Sequence, residues 1–220
     1  MRCAKLSGAD MPKNWPYGLF AIGAMAPNYL PKTEADARGW GGATLSYTMN
    51  YALNPALASW ALTTSKRQVT LLDVPGLKAF RSQYTAYPAA QQPPQILLGG
   101  TLATARYWHG EARTQWARDW VKLWTGGQDK FVTTSMEQAV YVGTLQRMAK
   151  QGYVNFQRVM MLRSASNYSM PPTGQSVMAT IGDTSLGTAP AFEAQYRAGS
   201  VVVHELLKHW DRYENVIPTP

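Results

Sequence analysis

The strongest constraint on what this chain can fold into is an alternation. Three short apolar runs, each ending in small or polar residues, are separated by segments whose apolar residues recur at helical spacing. The runs are Ile96 to Thr104, Phe131 to Thr134 and Arg158 to Arg163. The helical segments are Glu111 to Trp124, Met136 to Lys150 and Ala189 to Trp210. Strand, helix, strand, helix, strand, helix predicts an α/β fold, a mixed sheet flanked by helices. Upstream, Tyr17 to Ala26 reads as a further strand framed by Pro12, Pro16, Pro27 and Pro31, and one that needs neighbouring strands. Leu45 to Lys66 has helical spacing that Pro55 is expected to kink or split. A second helix is expected from Pro75 to about Tyr84, with Asp73 in the capping position, and a Pro/Gln loop follows from Tyr87 to Pro94.

With 220 residues and 45% hydrophobic content, the chain can bury one substantial core, so residues 1–220 are expected to form a single domain. The net charge of +8 raises nucleic acid or an acidic surface as a partner. The basic residues are dispersed, with pairs such as Lys66-Arg67 but no run, and a nucleic-acid role is not expected. A single cysteine, Cys3, excludes an intrachain disulfide, and with His109, His204 and His209 it makes no zinc-ligand pattern, so no metal is expected. The apolar stretch from Ala52 to Leu62 is broken by Asn54, Pro55 and Ser59, and no stretch approaches the ~20 apolar residues of a spanning helix. No transmembrane segment is expected, which argues against a self-sufficient channel. The first residues have no apolar core of the secretory type, and the sequence does not assign a compartment.

In sheets fed by parallel strands, ligands collect beyond the C-terminal strand ends. After the three runs come Tyr107-Trp108-His109-Gly110, then Ser135-Met136-Glu137, then Arg163-Ser164-Ala165-Ser166-Asn167-Tyr168. These sets combine an aromatic face, a carboxylate and an amide, the chemistries that a flat base, a pair of sugar hydroxyls and a polar base edge require. Glu137 can accept from two hydroxyls, and Met136 can pack on a sugar. Asn167 can pair with a base edge, and Tyr107 or Trp108 can stack on the base. Each residue also has a plain structural reading. Met136 and Trp108 fit a core, Glu137 a helix dipole, Asn167 a turn, and His109 a turn or surface position.

Leu162-Arg163-Ser164-Ala165-Ser166-Asn167-Tyr168-Ser169-Met170-Pro171-Pro172 is similar to the signature Arg-Thr-Ala-Ser-Asp-x-Asp-x-Pro-Pro of the purine nucleoside permease family. Further similarity lies in Met11 to Gly18, Tyr107 to Gly110, Leu123 to Gly127, Thr133 to Gln138 and the ending from Ala198 to Pro218. The resemblance implies a purine nucleoside phosphorylase-like fold, with Met136 and Glu137 at the ribose and Ser166 and Asn167 at the base. Arg163 opens the same motif and joins the expected substrate-binding set. The implied ligand is a purine nucleoside and the implied role is its transport. The alternatives are phosphorolysis or hydrolysis of the N-glycosidic bond through an oxocarbenium-like state, with Glu137 positioning the ribose and Asn167 the base as the catalytic residues, or an inactive remnant. No cofactor is implied, phosphate stands open as a co-substrate, and a homo-oligomer is allowed. Two departures are visible. Asn167 stands where the family has Asp, and an amide cannot act as a general acid. The family also carries more chain before this point, including a Gly-rich turn that Gly39, Gly41 and Gly42 do not replace, so an N-terminally incomplete domain is expected.

Overall fold

A computed structural model of the protein describes residues 2–5, 19–22, 50–104, 107–125, 127–182 and 185–220. The expected helical segment from Leu45 to Met49, most of the Pro-framed N-terminal stretch and the glycines around Trp40 lie outside these residues. Strands β1 (Arg2–Lys5) and β2 (Leu19–Ile22) pair antiparallel, which supplies the neighbour that the Tyr17 to Ala26 run requires. Strands β3 (Gly100–Ala103) and β4 (Phe131–Ser135) pair parallel. Helices α1 (Pro55–Gln68), α2 (Pro75–Arg81), α3 (Glu111–Trp124) and α4 (Gln138–Lys150) follow the predicted order. The C-terminal part holds α5 (Val177–Thr180), α6 (Ser185–Lys208) and α7 (Trp210–Tyr213). The class is α/β.

The chain divides into two compact units assembled from interleaved stretches. The first comprises residues 1–51, 99–107 and 111–139, and the second 52–98, 108–110 and 140–220. In the first, α3 packs against β3 and β4. Its inward stripe is Thr114, Ala117 and Val121, spaced three and four residues apart and all buried, which is the spacing that puts side chains on one helix face. Buried Leu102 carries the β3 side of this packing.

In the second unit, α1 packs against α6. Leu57, Trp60, Val202 and Tyr213 form its buried cluster, joined by Met160, Leu206 and Ile217. Trp60 and Tyr213 meet edge-on with ring centroids 5.5 Å apart, a preferred aromatic geometry. Ser65 Oγ donates to the Ala198 carbonyl at 2.9 Å, so this buried hydroxyl has its partner.

Several boundaries differ from the sequence reading, each for a local reason. Pro55 neither kinks nor splits a helix. It occupies the first turn of α1, where a missing N–H costs nothing, and Asn54 caps the helix by accepting from the Ala56 and Leu57 amides at 3.0 and 3.2 Å. Asp73 does not cap α2. Val74 holds that position without a side-chain bond, while Asp73 grips buried Arg81 with both carboxylate oxygens, at 2.7 and 2.8 Å from Nη2. The Ile96 to Thr104 strand begins only at Gly100, and Leu97 and Leu98 are exposed.

The third expected strand, Arg158 to Arg163, joins no ladder among the described residues, and the parallel pairing there is limited to β3 and β4. Its apolar side chains are used against helices. Val159 is buried, Met160 packs on the α1–α6 cluster, and Leu162 lies over Gly199 of α6. A short apolar run fits either environment equally well, which is why its composition alone does not fix a strand.

Candidate functional site

The parallel pair β3–β4 directs two candidate groups off the same strand ends in the first unit. The main-chain ladder persists to the Thr104 amide, which donates to the Ser135 carbonyl at 2.9 Å. Beyond it lie Tyr107 on the β3 side, and Met136 and Glu137 on the β4 side. All three are exposed, Tyr107 at 46% and Met136 at 51%. Met136 is therefore not a core residue. Glu137 directly precedes α4, whose first turn has no acidic residue of its own, so its carboxylate faces the positive end of the helix dipole.

Two neighbours to which the sequence reading assigns no role are more buried than Met136 and Glu137. Ser135 is only 6% exposed, and among the described residues its Oγ has no hydrogen-bond partner. Gln138, the first residue of α4, has a buried Oε1 that is likewise unpartnered. Nothing in the composition marks them except their position on either side of Met136-Glu137.

The second unit holds Trp108, Arg163, Ser166 and Asn167. Arg163 is exposed, while Trp108, Ser166 and Asn167 are half-buried. The loop from Arg163 to Pro172, which carries the last three of these residues, is tied down at many points. Tyr84, only 2% exposed, donates its hydroxyl to the Met170 carbonyl at 2.9 Å. Tyr168 donates to the Ala90 carbonyl at 2.6 Å, and the Tyr84 and Tyr168 rings lie 4.4 Å apart. The Gly110 amide donates to the Ser169 carbonyl at 2.8 Å, and Gly110 has φ of 107°, a backbone that a side chain rarely adopts. Ser164 Oγ donates to Gln195 Oε1 of α6 at 2.8 Å. Gly187, in the first turn of α6, lies so close to the Ser166 main chain that a Cβ there would strike the Ser166 carbonyl.

His109 is not a surface residue. It is buried, its Nε2 sits 2.9 Å from Thr180 Oγ1, and the ring also bonds the Tyr168 backbone. Desolvation holds its pKa below the ordinary 6.5, partly opposed by that backbone bond. Desolvation likewise raises the Tyr168 phenol, opposed by the charge of Arg81. In the first unit, burial raises the Asp119 carboxyl against its bond from Gln115 and the charges of Lys122 and Arg118.

An open groove of about 530 Å³ runs along α6 in the second unit, lined by Leu162, Phe192, Gln195, Tyr196, Val203 and His204 among others. It does not include Ser166 or Asn167. Among the described residues, no group of three or more His, Cys, Asp or Glu side chains is placed to hold a metal, and no helix is long and apolar enough to cross a membrane.

The structure defines an α/β chain with aromatic, acidic and polar residues beyond its parallel strand ends. Comparison of the sequence narrows the class: the profile of the purine nucleoside permease family matches residues 4–218, and the chain belongs to that family. It is 28% identical over 142 residues to a purine nucleoside permease of Candida albicans, covering 64% of this chain and 35% of the relative. A probable purine nucleoside permease of Schizosaccharomyces pombe is 26% identical over 169 residues, covering 76% of this chain and 48% of the relative. The chain thus spans between about a third and a half of the length of these curated relatives. No solved structure matches it.

Proposed function

We propose that this chain binds purine nucleosides and takes part in their transport, on a nucleoside phosphorylase-like fold. The observation that carries the reading is the family match across residues 4–218. In this reading Glu137 accepts hydrogen bonds from the sugar hydroxyls, and Met136 lies against the sugar. In the same unit Tyr107 offers an aromatic face to a base; in the second unit, taken by itself, Ser166 and Asn167 offer groups for a base edge, Trp108 an aromatic face and Arg163 a positive charge. Asn167 donates and accepts hydrogen bonds but supplies no proton, so it favours recognition of the base over its expulsion.

Calorimetric titration of inosine and adenosine, with and without phosphate, while free base is followed by chromatography, tests this. Saturable binding without base release is the expected result. Release of free base replaces the reading with a phosphorylase or nucleosidase, phosphate dependence telling the two apart. No binding of either nucleoside overturns it.

A further inference from the structure

Helix α6 is apolar on two sides, and only one of them is covered among the described residues. Ala191, Ala198 and Val202 share the buried side, where Val202 joins the α1 cluster. The other side carries Phe192, Tyr196, Val203 and Leu207, exposed at 68, 70, 51 and 65%. Spaced four, seven and four residues apart, they form one stripe along the helix. Leu162, 41% exposed, leans over Gly199 and widens the same patch. A helix apolar on more than one side is ordinarily buried, and a contiguous apolar patch of this kind marks a surface that another molecule covers.

We infer that this side of α6 is a two-fold interface with a second copy of the chain, the two helices lying antiparallel. The stripe is its own complement. Tyr196 and Val203 are equally distant from the point between Gly199 and Ser200, and so are Phe192 and Leu207. A two-fold axis through that point therefore sets Tyr196 against Val203 and Phe192 against Leu207, an aromatic ring against an aliphatic side chain, each pair occurring twice. Gly199 and Ser200 meet at the crossing, where small residues allow the helix axes to approach. Gln195 and His204, both on the groove, are equally distant from the same point and fall opposite each other. Gln195 Oε1 accepts from Ser164, which leaves the amide N–H groups to donate to the imidazole. The five apolar side chains expose roughly 600 Å² on each copy, so pairing removes about 1,200 Å² from water, the size at which stable specific interfaces begin. The interface does not depend on what the chain binds.

Sedimentation equilibrium of the chain from about 1 to about 100 μM tests this, with a monomer–dimer Kd of about 10 μM or lower expected. Tyr196→Glu should raise that Kd about a hundredfold or more, because each dimer then presses two carboxylates onto Val203. A wild type that stays monomeric over the whole range overturns the interface, and so does a Tyr196→Glu variant that dimerises like the wild type. The geometry is read separately with a short bismaleimide cross-linker on Ser200→Cys and Leu207→Cys, each in a Cys3→Ser background. Ser200→Cys is expected to link into dimers, since its two thiols lie beside the axis. Leu207→Cys is not, since antiparallel packing separates its thiols by about 22 Å along the helices. Linking at position 207, or none at position 200, overturns the antiparallel arrangement. Both the wild-type sedimentation and the cross-linking pair decide the matter even if Tyr196→Glu fails to fold.

Discussion

The β4–α4 turn in the first unit and the Arg163 to Pro172 loop in the second carry the two halves of the same motif set, and they are built in opposite ways. The loop is over-determined: Tyr84, Tyr168, Gly110, Gln195 and Gly187 each fix a different point of it. The turn presents exposed Met136 and Glu137 between two buried polar atoms that have no partner among the described residues. A ligand contact made from the loop draws on geometry that exists before binding, which reduces the ordering cost. One made from the turn uses the exposed side chains of Met136 and Glu137. Changes to the loop's supports should therefore appear first in stability, and changes to the turn first in binding.

The largest expected effect is at Gly187. In Gly187→Val, the new side chain meets the Ser166 carbonyl and the first turn of α6 must separate from the loop. Overpacking of this kind costs about 1–3 kcal/mol or more, readable as a lowered urea midpoint with an unchanged m-value. If the variant is as stable as the wild type, the close approach of α6 to Ser166 is not a support of the loop.

Next comes Tyr84→Phe, which deletes one hydroxyl and leaves the Met170 carbonyl without that donor in a buried place. A loss of about 1–3 kcal/mol is expected for an orphaned buried acceptor, smaller than the Gly187 change if the loop relaxes toward water. Urea denaturation of the variant checks it, and a change below a few tenths of a kcal/mol shows that the loop does not depend on this anchor.

Much of this architecture was legible in the residues. Helices α3 and α4 appear within two residues of their expected starts, because each has a clear apolar stripe and a defined end. The parallel order of β3 and β4 follows from the helix between them. What escaped is long-range. Nothing near Val159 says that its run will lie on α6 instead of in a ladder, and nothing near Gly187 says that Ser166 will press on it. Asp73 looked like a cap because caps are local, whereas its real partner, Arg81, is two helical turns away. The site residues were readable as chemical types, but the unpartnered state of Ser135 and Gln138 depends on what surrounds them, and a sequence pattern does not contain that.

The pH dependence separates the regions further. Because burial lowers the His109 pKa in the folded chain, the unfolded chain binds more protons as pH falls through 6.5. Stability contributed by the neutral ring is therefore present above pH 6.5 and is lost on acidification through the lower folded value. Urea midpoints should fall from pH 7.5 to pH 5.5 in the wild type and fall less in His109→Gln. An equal slope in both proteins assigns the acid sensitivity elsewhere.

The smallest effect on stability, and the sharpest contrast with Gly187, is expected at Glu137. Its side chain is exposed and at the mouth of α4, so Glu137→Gln removes only a favourable charge at a helix start, about 0.3–1 kcal/mol at low salt and less at high salt. Binding should respond far more. An amide keeps one acceptor oxygen but loses the charge and the second acceptor, and charge-assisted hydrogen bonds are worth about 1.5–3 kcal/mol each, so inosine affinity should fall by about tenfold to a hundredfold. Hypoxanthine, which has no sugar, should bind the variant and the wild type alike. A variant that loses stability and keeps inosine affinity would reverse the contrast: Glu137 would then be a helix residue, and the sugar would have to be held from the anchored loop.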